Sequence, residues 1–160
     1  MPINSRLSRV YDGNSYFLPL NLFTFLATIC FMDKDFDSWN VLKKRLDSHE
    51  VFLPIKEGEV WWWSAVGANV GIEMCGKGQE FSRPVVVLKK LSRFGFYGVP
   101  LTSHLHEGSW FVEFEFKNRK QYASFAQVRI FSTNRLTNRM GTLPMSDYSK
   151  IKDRYLRLYK

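Results

Sequence analysis

The stretch Arg83-Pro84-Val85-Val86-Val87-Leu88, followed a short distance later by Val99-Pro100-Leu101-Thr102-Ser103, decides how this chain is read. Val85 to Leu88 are apolar without alternation, which predicts a strand buried on both faces. Arg83 then stands at the mouth of one buried strand and Thr102 at the end of the next. Working outward, residues 59–64 (Glu59-Val60-Trp61-Trp62-Trp63-Ser64), 94–100, 110–117 and 122–131 are rich in β-branched and aromatic side chains and separated by Gly, Pro, Asn or charged residues. The 110–117 segment alternates cleanly from Val112 onward, as a half-exposed strand does. Short strands with hairpin-length links predict a small antiparallel barrel, mainly β.

Helical patterns flank this core. In residues 35–49 Phe36, Trp39, Leu42 and Leu46 recur at three- and four-residue spacing, with acids in front and Lys43-Lys44-Arg45 behind, as a helix dipole prefers. A second helix is predicted from Ser146, its expected N-cap, to about residue 159, with Ile151, Tyr155 and Leu158 on the buried face. Residues 67–82 carry Gly67, Gly71, Gly76 and Gly78 and are too long for a hairpin turn, so they read as a mobile flap. Gly76-Lys77-Gly78 lacks the spacing of a Walker phosphate loop.

At 160 residues, 45% apolar and 16% aromatic, the chain is one domain's worth of packed protein. Cys30 and Cys75 form no CxxC and lie near no histidine at ligand spacing, so neither a disulfide framework nor zinc is indicated, and a reducing cytoplasm fits best. The net charge of +8 is uneven: +1 over residues 1–32, −3 over 33–80 and +10 over 81–160. The basic part holds Arg83 and Thr102. Such a field favours a polyanion, nucleic acid first, over a charged face kept for solubility. An arginine and a hydroxyl within it are what a metal-free phosphodiester site requires.

Residues 1–32 stand apart. Arg6 and Arg9 precede an uncharged run from Gly13 to Met32 that has the look of a signal peptide or a poor membrane segment. Pro19, Asn21, Thr24 and Thr28 interrupt the apolar run, and no small-x-small cleavage site follows it. Translation from Met32, which opens an ordinary domain start, is the third reading. The expected organisation is therefore an extension over 1–32, a helix and linker over 33–56, and the barrel domain over 57–160.

His104 and His106 would share a strand face but lack a third metal ligand. They read as solvent-facing histidines within reach of a phosphate. Glu73 and Glu80 on the flap are expected to be solvated or paired with nearby bases, with positioning of a substrate or of Arg83 as a further reading of Glu73. No cofactor is called for.

The ordered set Glu59-Val60-Trp61-Trp62, the glycine-rich flap, Arg83-Pro84-Val85-Val86-Val87-Leu88, Val99-Pro100-Leu101-Thr102-Ser103 and Ala126-Gln127-Val128-Arg129 resembles the MazF/PemK toxins of type II toxin-antitoxin systems. The resemblance implies an SH3-like barrel with helical additions and cleavage of single-stranded mRNA at specific sequences, without a metal, to 2′,3′-cyclic phosphate and 5′-hydroxyl ends. It implies catalytic Arg83 and Thr102, with Ser103, Glu73, Lys77, His104, Gln127 and Arg129 on the substrate. It implies a homodimer in the cytoplasm, a cognate antitoxin, and contact with operator DNA only in complex with that antitoxin. Ala126 stands where many relatives carry an acid, so that carboxylate's role is lost or moved. A non-catalytic toxin of the same barrel that binds DNA gyrase, or a simple nucleic-acid-binding barrel, is the alternative.

Overall fold

The computed structural model describes residues 34–48, 51–63, 66–71 and 73–158, and the readings made on residues 1–32 lie outside them. Helix α1 (Phe36–Asp47) starts where Asp35 accepts the Ser38 N–H at 2.8 Å. It buries Leu42 and lays the Trp39 indole over Gly67, where a Cβ would stand 2.6 Å from the ring. Phe36, expected on the buried stripe, is exposed, because it opens the helix beyond the body that Leu42 and Trp39 reach.

Seven strands follow: β1 (Glu59–Trp63), β2 (Arg83–Lys90), β3 (Gly95–Thr102), β4 (Phe111–Phe116), β5 (Arg119–Ser124), β6 (Arg129–Ser132) and β7 (Leu136–Thr142). All pair antiparallel in the order β4-β5-β3-β2-β1-β7, with β6 also on β3, in the mainly-β architecture with flanking helices that the sequence predicts. The non-alternating β2 is explained by two cores. Val86 and Leu88 pack on one side with Val99, Leu101, Phe114 and Ile151, and Val85 and Val87 on the other with Trp61, Trp63, Phe96 and Phe131.

Two sequence expectations change. The single strand over 122–131 is broken by a 3-10 turn at Phe125–Gln127. β5 and β6 pair successive parts of one edge of β3, but Tyr122–Ala123 face Thr102–Leu101 while Arg129 faces Gly98. More residues must fit between these pairs than β3 offers opposite them, so the excess coils, burying Phe125; Pro100, with no N–H for the ladder, lies in that gap. The other is β7, a strand the pattern did not announce. It is held on β1 by Glu59, a buried carboxylate that accepts from Arg139 Nε at 2.8 Å, Trp61 Nε1 at 3.0 Å and the Lys56 N–H at 3.0 Å.

The β4–β5 hairpin turns on Lys117-Asn118, both at positive φ (54° and 58°), the two-residue geometry that matches strand twist. Helix α2 (Met145–Arg157) buries Ile151 with Tyr155 and Leu158 packed beside it, as expected. It begins one residue before the predicted cap: Pro144 occupies the cap position without a side-chain bond, and Ser146 lies inside the first turn. Its preset φ suits Pro144 to a helix entrance.

Candidate functional site

Register brings the two residues of the opening motifs together. Trp63 of β1 faces Arg83 of β2, and the β2–β3 register of Val85 to Pro100, continued two residues, sets Thr102 across from Arg83. Side chains two apart share a face, so Arg83 and Thr102 stand on the side of the sheet that carries Trp63, Val85 and Phe131.

Arg83 is half-buried, and its Nε donates to the Cys75 carbonyl. Burial lowers its pKa, which the nearby Cys75 thiol opposes, and the guanidinium stays charged. Among the described residues this is its one hydrogen bond, so the terminal nitrogens are available to an anion. Thr102 is 5% exposed, and its hydroxyl oxygen accepts the His104 N–H at 3.2 Å, leaving its own proton to donate.

The flap crosses this rim and meets the other predicted residues in turn. Glu73 is exposed and the base it acts on electrostatically is Arg129. The Met74 N–H donates to Gln127 Oε1 at 3.2 Å, and Lys77 Nζ lies 3.1 Å from His104 Nε2. Ser103 is exposed beside Thr102. Within the flap, Asn69 donates to the Val66 and Met74 carbonyls at 3.0 and 2.8 Å, and the Val66 N–H closes on Phe81 at 2.8 Å.

His106 departs from the solvent-facing expectation. Its ring stacks on Phe111 at 4.3 Å and 7° and meets Tyr122 edge-on at 6.4 Å, and Tyr122 is the β5 partner of Thr102. Burial, then His104, then Arg83 hold its pKa below the ordinary imidazole value, so it is neutral at pH 7. Two further residues escaped the sequence reading. Arg135, in the 3-10 turn Thr133–Arg135, and Trp63 meet Arg129 around a cavity, and no motif links positions so far apart in sequence.

No group of three or more His, Cys, Asp or Glu among the described residues is placed to hold a metal ion. No helix among them is long and apolar enough to cross a membrane.

A β-rich, barrel-like domain with an arginine and a threonine at adjoining strand ends is the class these features define. The model of the PemK-like, MazF-like toxin of type II toxin-antitoxin systems matches residues 56–158, and the chain belongs to that family. A solved structure described as an endoribonuclease in complex with its cognate antitoxin, from a mycobacterial species, is similar over 66% of this chain and 94% of its own, with a TM-score of 0.49 and 13% identity. No curated protein matches the chain in sequence.

Proposed function

We propose that this protein is an endoribonuclease toxin that cuts single-stranded RNA through the RNA's own 2′-hydroxyl. The facing of Arg83 and Thr102 across β2 and β3 carries the reading. The 2′-oxygen attacks the adjacent phosphorus, the P–O bond to the 5′-oxygen breaks, and that oxygen takes a proton from water, so that a 2′,3′-cyclic phosphate and a 5′-hydroxyl remain. Charge growing on the nonbridging oxygens is met by the Arg83 fork and by the Thr102 hydroxyl. Arg83 keeps its proton at neutral pH and so has no lone pair to act as the base; its work is electrostatic. His106 takes the 2′-proton: it is neutral at pH 7, half-buried and lies over the partner of Thr102.

Lys77, Ser103, His104, Gln127 and Arg129 line the path of the strand, and Glu73 steadies Arg129 from the flap. The protein works as a homodimer in the cytoplasm, is silenced by a cognate antitoxin, and meets operator DNA only in that complex. The test is cleavage of single-stranded RNA by purified protein in excess EDTA, with the ends mapped. Arg83→Ala is expected to lose about 100-fold or more in rate with the fold intact by circular dichroism. Cleavage that requires a divalent ion, or a fully active Arg83→Ala enzyme, overturns the mechanism; binding without cleavage would make the protein a binding module instead.

A further inference from the structure

Arg83 is anchored by one peptide of the flap. The Cys75 carbonyl, which accepts from Arg83 Nε, and the Gly76 N–H belong to the same peptide unit, and in a trans peptide the two point in opposite directions. The N–H side donates to the Gly67 carbonyl at 3.0 Å. The unit therefore spans from Gly67 to Arg83, and its placement decides where the Arg83 fork points. Only glycine fits at its second residue, since a Cβ on Gly76 would stand 1.7 Å from the Phe81 carbonyl oxygen.

One side chain holds the flap in this shape. Asn69 Nδ2 donates to the Val66 carbonyl at 3.0 Å, where the loop enters, and to the Met74 carbonyl at 2.8 Å, where it returns. The Asn69 N–H donates to Cys75 Sγ at 3.3 Å, and the Cys75 thiol points back to the Asn69 carbonyl at 3.6 Å. Asn69 thus grips the two residues that lead into the anchoring peptide. Helix α1 and the residue before its cap brace the same place from outside: Lys34 Nζ donates to the Asn69 carbonyl at 2.7 Å, and the Trp39 indole covers Gly67.

A loop without a strand ladder must satisfy its carbonyls in another way, and the half-buried carboxamide does this for two of them. Both of its donors point into the flap, so its effect on chemistry passes through the peptide it positions. A charge-stabilising group displaced by about 1 Å loses on the order of 100-fold in rate, which makes the fixing of Arg83 a matter of kinetics as well as of fold.

We propose that Asn69 is a positioning residue for Arg83: its carboxamide sets the flap so that the Cys75–Gly76 peptide holds Nε and leaves the terminal nitrogens aimed at the phosphate that is cut. The inference rests on the endoribonuclease reading and names the residue that presets its charge stabiliser. A preset fork matters to the transition state more than to binding, so its loss is expected in kcat and not in KM.

The full chain carrying Asn69→Ala is compared with wild type on a short fluorogenic RNA. Asn69 does not adopt a positive φ, so the truncation adds no backbone strain. The expected result is a kcat lowered about tenfold or more with KM within about twofold, and Asn69→Ser, which keeps one donor, in between. In an Arg83→Ala background, followed by single-turnover cleavage, Asn69→Ala is expected to cost less than about twofold more, because the group it acts through is gone. A second readout needs no RNA. The Arg83 Nε–H resonance of isotope-labelled protein, assigned by its loss in Arg83→Ala, is expected to exchange slowly with solvent in wild type and about tenfold or more faster in Asn69→Ala.

Thermal melts establish that the variants are folded, and the exchange of wild-type Arg83 is decisive even where a variant is not. Wild-type kcat in folded Asn69→Ala, a loss confined to KM, an undiminished loss on top of Arg83→Ala, or a wild-type Arg83 Nε–H exchanging as fast as those of exposed arginines each overturns the positioning role and leaves the nuclease standing. Wild type that cuts no RNA overturns both.

Discussion

The Thr102 hydroxyl oxygen accepts the His104 N–H, which leaves its own proton to donate on the face it shares with Arg83. Thr102→Ser is expected to retain most of the cleavage rate. Thr102→Val, with the same shape and no donor, is expected to lose about 100-fold in kcat at unchanged melting temperature. The pH profile follows from His106. Burial and the positive charges of His104 and Arg83 disfavour its imidazolium, so its pKa lies below the ordinary histidine value. With the neutral ring as the proposed base, activity is expected to fall as pH drops through that lowered pKa and to be level at neutral pH. In His106→Gln this acid limb should vanish along with about 100-fold or more in rate. A retained limb would assign it to another group. Arg83 and Thr102 are legible in sequence because each ends a strongly patterned strand. His106 is not, since its burial depends on Phe111 and Tyr122 from two later strands.

At the scale of elements, β2, β4 and the two helices can be read from periodicity alone, because each has a face whose burial sets its pattern. β7 cannot. Only Leu136 of its seven residues is buried, and its existence depends on pairing with β1 through Arg139 and Glu59. Glu59→Ala leaves the Trp61 N–H and the Arg139 guanidinium without their carboxylate, and is expected to cost about 2–3 kcal/mol in urea unfolding. A loss below about 0.5 kcal/mol would mean that β7 is held by its backbone alone. Helix α2 is fixed by a comparable tie. Tyr148 donates toward Glu57 Oε2 at 3.1 Å and the Leu88 carbonyl at 2.9 Å, and burial followed by the Glu57 charge pushes its phenol up to about 12. Since the folded state favours the protonated phenol, this contribution is complete below the ordinary tyrosine pKa of 10 and is lost as pH rises toward 12. Tyr148→Phe is accordingly expected to melt lower than wild type at pH 8 and to approach it in alkali.

For the molecule as a whole, both cores among the described residues are assembled from Ile55 onward, mostly from strands β1 to β6 and α2. A chain begun at Met32 keeps every one of these core residues and, on the reading that translation starts there, is expected to match the full chain in melting temperature and RNA cleavage. A lower melting temperature would assign residues 1–32 a structural part. Composition by itself determined one domain's worth of packed protein with its positive charge in residues 81–160, and local pattern determined the buried strands at whose ends Arg83 and Thr102 stand. Those properties are additive along the chain. Only the tertiary structure decided which residues stand face to face: the break between β5 and β6, the edge strand β7, the flap residues against the rim, and the arginines of β6 and its following turn around Trp63. Each of these arises from strand register and ring packing between distant segments, and register is a property of pairs that no single stretch of sequence carries.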